Sequence, residues 1–192
     1  MRILTLILAF LVIVSTANAG QYIGVGFGTN DKRLTNESHN PKIGFKADAV
    51  YGYRYENQIR TELTASFSKN EFKTVHHMKD IDVLASKEYR SFHSWTYMAN
   101  VLFDLNQLSI HTLTPYIGAG VGYCESTEKN KIKFADKTYK DMDRDGRISY
   151  QAVVGLSHAV DQFYTAAIEY KYNIGQSHAK NHSFGLSLLR SF

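Results

Sequence analysis

The sequence predicts an all-β fold, an eight-stranded antiparallel up-and-down barrel, from three observations. Apolar residues recur at every second position in eight separate segments, which is the period of a strand and not of a helix. Aromatic residues, which are enriched in strands, make up 13% of the 192 residues. The connections alternate between short turns and long polar stretches, as expected where successive strands run up and down.

The first 19 residues are predicted to be a cleavable signal peptide that precedes the fold. Arg2 supplies a positive start, residues 3–14 form an uncharged apolar run, and Ala17 and Ala19 have the spacing that a signal peptidase reads. The predicted barrel domain then covers 20–192. No later segment reaches eighteen apolar residues in a row, so the exported chain is expected to be either a soluble secreted protein or a membrane-spanning barrel.

Each of the eight segments separates its residues into two faces. In the clearest one, 42–55, Phe45 and Tyr51 lie on one face, and Lys46 and Asp48 lie on the other. Most segments have nine or more residues, whereas globular strands average about five or six and a tilted strand across a bilayer needs roughly 9–11. The predicted strands are 21–29, 42–55, 59–68, 93–105, 117–123, 148–158, 164–174 and 183–192.

The connections predict which ends of the strands lie together. Tight turns are predicted at 56–58 and 161–162, and a somewhat longer connection at 106–114. Four polar, charged loops are expected on the opposite side, which places both termini on the side of the short turns. These predicted loops are 30–41, 69–90, 126–147 and 175–181.

The orientation of the two faces decides between a membrane barrel and a soluble one. Charged residues in mid-strand and many Gly and Ser residues share the polar face, as a narrow eight-stranded interior requires. The apolar face carries aromatic clusters near strand ends, which predicts girdles at the membrane surfaces. We therefore predict a transmembrane barrel with its apolar face outward; the alternative is a lipocalin-like ligand-binding barrel with that face inward. The aromatic residues concerned are Tyr51, Tyr53, Tyr55, Trp95, Tyr97, Tyr170 and Tyr172.

Three parts of the chain resemble a known family. Residues 21–27, the run Thr-Pro-Tyr-Ile-Gly-Ala-Gly-Val-Gly-Tyr at 114–123 and the closing strand ending in Phe192 are similar to the eight-stranded outer-membrane barrels of the opacity-protein and OmpA-type superfamily. The resemblance implies a location in the outer membrane of a Gram-negative bacterium. It also implies that the last strand is an assembly signal for the barrel-assembly machinery, with Arg190 departing from the usual apolar residue. The matching positions are Phe184, Leu186, Leu188 and Phe192.

Charges on the polar face are balanced, with four positive and four negative groups. Because an unpaired buried charge costs several kcal/mol, charges inside so narrow a barrel are expected to be paired. A salt-bridged plug is the preferred interpretation, and a narrow gated pore is the alternative. The predicted network comprises Lys46, Asp48, Arg54, Arg60, Glu62, Asp104, Glu169 and Lys171.

The segment 141–149 resembles a calcium-binding loop. Asp141, Asp143 and Asp145 stand at positions one, three and five, and Gly146 stands at position six. Position twelve is Ala152 instead of the bidentate Glu. The sequence therefore offers two interpretations, a weak calcium site and an Asp-Gly turn at the base of a solvated loop.

No catalytic residues are predicted. Lipid A deacylases share the eight-stranded barrel and use a His-x-Ser arrangement, which this sequence lacks. The neighbouring pair His76-His77 is interpreted as solvated loop histidine, and Cys124 as a packed free thiol. A lipid A-modifying enzyme remains an alternative class.

The expected function is that of a non-enzymatic surface protein with a structural or adhesive role, or alternatively of a narrow channel. The net charge of +4 is too small to predict nucleic acid as a partner. Lysines concentrate in the predicted loops and favour anionic partners, such as lipopolysaccharide, sulfated glycans or host-surface molecules. These lysines are Lys73, Lys79, Lys129, Lys131, Lys133, Lys137 and Lys140.

Overall fold

In a computed structural model of the chain, eight antiparallel strands close into a single barrel. Each strand pairs with its neighbours in sequence, and the first strand pairs with the last, from Tyr22–Ser191 to Leu34–Ala179. The structure describes residues 20–34, 43–75, 87–133, 138–176 and 179–192. The strands are β1 (Gln21–Leu34), β2 (Gly44–Arg54), β3 (Ile59–Val75), β4 (Lys87–Asp104), β5 (Leu113–Lys133), β6 (Thr138–Ala159), β7 (Tyr164–Gln176) and β8 (Ala179–Ser191).

The predicted eight-stranded up-and-down barrel is confirmed. Short connections join β2 to β3, β4 to β5 and β6 to β7, and a three-residue 3-10 turn, Asn106–Leu108, lies in the second of these. Within the described residues, no helix combines the length and apolar character that crossing a membrane requires. The predicted signal peptide, 1–19, lies outside the described residues, as do His76 and His77.

All four long loops were predicted too long, because the flanking strands continue into each predicted range. The β3–β4 ladder continues to the Val75–Lys87 pair, and the β5–β6 ladder continues to the Lys133–Thr138 pair. Apolar alternation marks only the part of a strand that has lipid on one side. Where the same strands continue into water, backbone pairing persists although polar residues occupy both faces.

The apolar face points outward and the polar face lines the interior. Phe27, Ile168 and Leu186 are 61%, 59% and 63% exposed on the outer face. Arg60 and Lys171, on the inner face, are 1% and 5% exposed. A soluble barrel would bury the first set and expose the second, so the lipocalin-like alternative is wrong.

Two aromatic girdles bound the apolar band. We call the end of the barrel with the short turns the lower end and the opposite end the upper end. The Phe67 and Trp95 rings contact each other at the upper edge of the band, with centroids 5.1 Å apart. The Tyr53 and Tyr55 rings contact each other at the lower edge, with centroids 4.7 Å apart. Trp95 and Phe103 enclose a stretch of β4 close to the roughly 9–11 residues that a tilted transmembrane strand needs. The ladders of β3 to β6 therefore continue past the membrane surface on the Trp95 side.

Candidate functional sites in the lumen and on the outer face

Arg60 is the centre of a charged cluster near the lower end of the lumen. Its Nη2 atom lies 2.9 Å from Oδ1 of Asp104, and its Nη1 atom lies 3.7 Å from Oε1 of Glu62. The guanidinium group also covers the Tyr116 ring, 4.4 Å from its centroid. These contacts compensate a charge that is almost completely removed from solvent.

Lys171 is the centre of a second cluster. Its Nζ atom lies 3.0 Å from Oδ2 of Asp48 and 2.9 Å from Oε2 of Glu169. Lys46 contacts the same Asp48 oxygen at 3.2 Å. Two lysines and two carboxylates therefore neutralise each other across β2 and β7.

Two tyrosines extend the network and join its clusters. The Tyr22 hydroxyl donates to Oε1 of Glu62, and the Tyr116 hydroxyl donates to Oε1 of Glu169, both at 2.7 Å. Because the Tyr116 ring also lies against Arg60, Tyr116 connects the Arg60 cluster to the Lys171 cluster. Sequence reasoning missed both tyrosines, although their positions in the alternation, opposite to the lipid-facing Ile23 and Ile117, place them on the polar face.

Arg54 occupies a different position from the other seven predicted network residues. Its side chain is 44% exposed, and its Nε atom lies 3.8 Å from Oδ2 of Asp104. It therefore belongs to the rim of the lumen, where solvent screens its charge.

Little space remains inside the barrel at the level of the charged clusters. The cavity beside Lys46, Asp48, Glu169 and Lys171 has a volume of about 10 Å³, which is near the minimum for one water molecule. Neutral polar side chains bond across the lumen, where Gln151 donates to Asn100 at 3.0 Å. Within the described residues, side chains thus fill the interior at these levels.

A concave site lies on the outer face of β4, β5 and β6, directly above the upper girdle. It has a volume of about 360 Å³. The pairing register places His93, Thr127 and Arg144 side by side, with Trp95 and Glu125 one step below them. The lining residues are His93, Trp95, Glu125, Thr127, Lys129, Met142 and Arg144.

Ser91 and His93 form a pair beside this site. The Ser91 Oγ atom lies 3.1 Å from Nε2 of His93, and residues two apart share one face of a strand. A hydroxyl at this distance from an imidazole has the geometry of a base-assisted nucleophile. The order in this chain is Ser-x-His, so the pair does not match the His-x-Ser pattern.

The segment that suggested a calcium loop lies within β6. Asp143 pairs with Glu128 and Asp145 with Ser126, in regular antiparallel register. The loop prediction is wrong here, because an extended strand spreads alternate carboxylates along one face. Oδ2 of Asp145 accepts a hydrogen bond from Nε of Arg147 at 2.7 Å.

Gly146 has a structural explanation that does not involve calcium. It lacks the positive φ of a tight turn, and the Tyr123 phenol lies where its Cβ would be. The Asp141 side chain lies outside the described residues, and among those described no three His, Cys, Asp or Glu residues form a metal-binding group. Calcium binding stays a prediction.

The predicted assembly residues share the outer face of β8 and the position after it. Phe184, Leu186, Leu188 and Phe192 are 60%, 63%, 48% and 39% exposed. Arg190 places its guanidinium group 5.4 Å from the centroid of the Phe192 ring.

The free thiol of Cys124 is buried and accepts a hydrogen bond from Thr96 at 3.3 Å.

A closed barrel with an apolar outer face, two aromatic girdles and a polar, charged lumen defines an outer-membrane β-barrel protein of a Gram-negative bacterium. The model of the outer membrane protein beta-barrel domain matches residues 4–192, and the chain belongs to this family.

Two of the solved structures that match the chain illustrate the shared fold. Neisserial surface protein A is 15% identical, with a TM-score of 0.57 and with 91% of this chain and 98% of that protein covered. Ail, the attachment invasion locus protein of Yersinia pestis, is also 15% identical, with a TM-score of 0.52 and coverage of 91% and 100%.

A relative in Brucella abortus (strain 2308), an uncharacterized protein, is 26% identical over 158 residues. The match covers 76% of this chain and 54% of the relative. The chain therefore spans about half the length of the curated relatives it matches.

Proposed function

We propose that the protein is a non-enzymatic surface barrel, in which a sealed transmembrane part anchors an extended sheet that contacts molecules at the cell surface. The observation that carries this proposal is the continuation of β3, β4, β5 and β6 beyond the upper girdle. These strands have 17, 18, 21 and 22 residues, whereas crossing the bilayer needs roughly 9–11. The surplus length is ordered sheet on the side opposite the short turns.

The packed lumen supports an anchoring role over a channel. The charged clusters bring side chains from β1, β2, β3, β4, β5 and β7 together across the interior. Transport of an ion would require these pairs to separate inside the barrel, and breaking a buried pair costs roughly 3–5 kcal/mol. The network therefore acts as a plug that also fixes the strand register.

Anionic surface molecules are the partners that the sheet suits best. Lys129 and Arg144 are exposed on its outer face. A structure of Ail in complex with the heparin analogue sucrose octasulfate is 16% identical to this chain, with a TM-score of 0.50. Sucrose octasulfate is therefore a suitable sulfated probe for this chain. We infer that sulfated or phosphorylated glycans bind the extended sheet.

Two measurements test the proposal. The refolded protein should give no steady conductance in planar bilayers; a steady open level would identify a channel. Cells that display the full chain should adhere to a heparin-coated surface. Cells that display a variant with 128–143 replaced by Asn-Gly, which closes the Thr127–Arg144 pair with a two-residue turn, should adhere several-fold less. Equal adhesion at equal surface display contradicts the role of the sheet.

The Ser91–His93 hydrogen bond favours one second candidate, hydrolysis of an acyl ester of an outer-leaflet lipid. In such a reaction Ser91 would attack the ester carbonyl while His93 accepts the hydroxyl proton, and the ester C–O bond would break as the alcohol part of the lipid leaves with that proton. Water, deprotonated by His93, would then cleave the acyl-serine, release the fatty acid and restore Ser91. Lipid mass spectrometry of cells with the wild-type chain and with Ser91→Ala separates the two candidates. Loss of an acyl chain that depends on Ser91 would establish the enzyme, and identical lipid profiles support the non-enzymatic role.

A further inference from the structure

We propose that the concave site on the outer face of β4, β5 and β6 binds the phosphorylated sugar headgroup of lipopolysaccharide in the surrounding outer leaflet. The inference rests on the proposed function and gives the extended sheet a defined anionic partner. Two cations and an exposed indole carry it: Lys129, Arg144 and Trp95.

The position of the site fixes the level at which a ligand would lie. The Trp95–Glu125 pair belongs to the upper girdle, and the next pair on the same face, His93–Thr127, is one step further from the membrane. Side chains on this face point away from the barrel, toward the neighbouring lipid. Aromatic girdle residues lie at headgroup level, so the site faces the headgroups of the outer leaflet.

Strand alternation separates the charges of this region. Arg144 and Met142 lie on the outer face of β6, whereas Asp143 and Asp145 alternate with them and take the inner face. Asp145 is paired with Arg147 at 2.7 Å, and Lys69 is paired with Glu71 at 2.7 Å on the neighbouring β3.

Lys129 and Arg144 have no ion-pair partner among the residues that the structure describes. Glu125 is the acidic member of the lining. Two cations and one carboxylate leave the site with a net positive charge that complements a phosphate.

The chemistry of the lining suits a sugar phosphate better than a bare anion. Arg144 offers a planar fork of donors and Lys129 a point charge, the two forms in which proteins hold phosphate. Trp95 is 49% exposed and supplies an apolar plate at the lower edge, on which the carbon face of a sugar ring can lie. Thr127 and His93 add hydroxyl and imidazole groups for sugar hydroxyls.

A lipid source is favoured over a soluble glycan by the direction in which the site opens. A soluble polyanion arriving from the medium would first meet the distal ends of the hairpins, whereas this site lies at their base and opens sideways. The membrane also holds a headgroup at this level permanently. The effective concentration of a lipid ligand is therefore far higher than that of a soluble one.

Trp95 allows a direct test because it is the only tryptophan of the chain. The full chain is refolded into phosphatidylcholine nanodiscs that contain increasing fractions of lipopolysaccharide, and the emission of Trp95 is followed. We expect a saturable change, and a much smaller change with lipopolysaccharide whose phosphates have been removed. For Lys129→Ala combined with Arg144→Ala, we expect about 30-fold weaker apparent binding, since each cation near a membrane surface contributes about fivefold.

The control combines Lys180→Ala with Arg190→Ala, which removes the same charge from two outward-facing positions of β8, one near each end of the strand and both away from the site. This control should bind within about twofold of wild type, and the mobility of unheated samples on gels verifies that all variants are folded.

The proposal is overturned if both double variants bind equally, or if dephosphorylated lipopolysaccharide binds as well as the intact form. A saturable response to sucrose octasulfate in lipid without lipopolysaccharide, with none to lipopolysaccharide, assigns the site to soluble glycans and overturns the lipid source. Because no readout here involves conductance or adhesion, failure of this site is distinct from failure of the proposed function.

Discussion

Arg60 is the residue on which the lower lumen cluster depends. It is 1% exposed and contacts two carboxylates and one aromatic ring. Arg60→Ala would leave Asp104 and Glu62 buried with no equivalent positive partner. We expect the free energy of unfolding, measured by urea titration in detergent micelles, to fall by about 3–5 kcal/mol.

Arg54→Ala is the matched control for this prediction. It removes the same side chain from the same cluster, but at a position that is 44% exposed and 3.8 Å from Asp104. An exposed pair contributes at most about 1 kcal/mol. Equal destabilisation by the two substitutions would contradict the assignment of Arg60 to a desolvated plug.

Tyr116 has two separate roles, which a single substitution can divide. Tyr116→Phe keeps the ring against Arg60 but removes the hydroxyl that donates to Glu169 at 2.7 Å. A buried acceptor that loses its partner costs roughly 1–3 kcal/mol, so we expect a loss of that size in the same urea titration. Tyr150→Phe, on the outer face and 59% exposed, should change stability by less than about 0.5 kcal/mol.

At the level of single strands, β1 requires glycine at position 28 more strictly than at position 26. Gly26 and Gly28 both face the lumen. A Cβ at Gly28 would overlap the Phe184 carbonyl oxygen and lie 2.7 Å from the Gly185 Cα, whereas at Gly26 the nearest atom would be 3.3 Å away. The close approach of β1 and β8 at Gly28 leaves no room for a side chain.

This difference gives a prediction for the barrel seam between β1 and β8. Gly28→Ala should destabilise the barrel by about 1–3 kcal/mol because backbone atoms of β8 must move. Gly26→Ala should stay within about 0.5 kcal/mol of wild type. The two variants are compared by urea unfolding after refolding into the same detergent, and a larger effect at Gly26 would mean that the seam packs differently.

Sequence reasoning predicted the elements where lipid imposes a pattern and failed where it does not. In β4 the alternation from Trp95 to Phe103 located the transmembrane part correctly, because one face must be apolar there. The continuation of β5 beyond Glu125 carries polar residues on both faces, and nothing in its composition distinguishes paired strand from loop. The Asp-rich segment of β6 was misread for the same reason.

The candidate sites follow the same division. Inner-face charges such as Arg60 and Lys171 could be selected by their phase, although their partners could not be assigned before the strand order and register were known. The outer-face site depends on Trp95, Lys129 and Arg144, which come from three different strands. Only the register brings these three residues together.

For the whole molecule, insertion into the membrane is predicted to depend on recognition of β8 as well as on the stability of the barrel. Phe192 follows β8 and donates its backbone N–H to the Gln21 carbonyl at 3.1 Å, which places it at the point where the barrel closes. Its ring is 39% exposed beside Arg190. Two interpretations of Phe192 remain open, an anchor at the lower girdle and a part of the assembly signal.

Deletion of Phe192 separates these interpretations, because recognition acts only in the cell and anchoring acts in any membrane. As an anchor, Phe192 contributes about 1–2 kcal/mol of burial, and its deletion would lower stability slightly while membrane yield stayed normal. If Phe192 is part of an assembly signal, its deletion should sharply reduce the amount of protein in the outer membrane, while refolding of the purified chain into detergent stays close to wild type. This second result is the one we expect.

Phe163→Ala is the control, since Phe163 is 51% exposed in the turn before β7 and its substitution should leave membrane yield and refolding unchanged. Normal membrane yield after deletion would exclude the signal, and failure of both assembly and refolding would indicate that the closing contact with Gln21 is needed for stability itself.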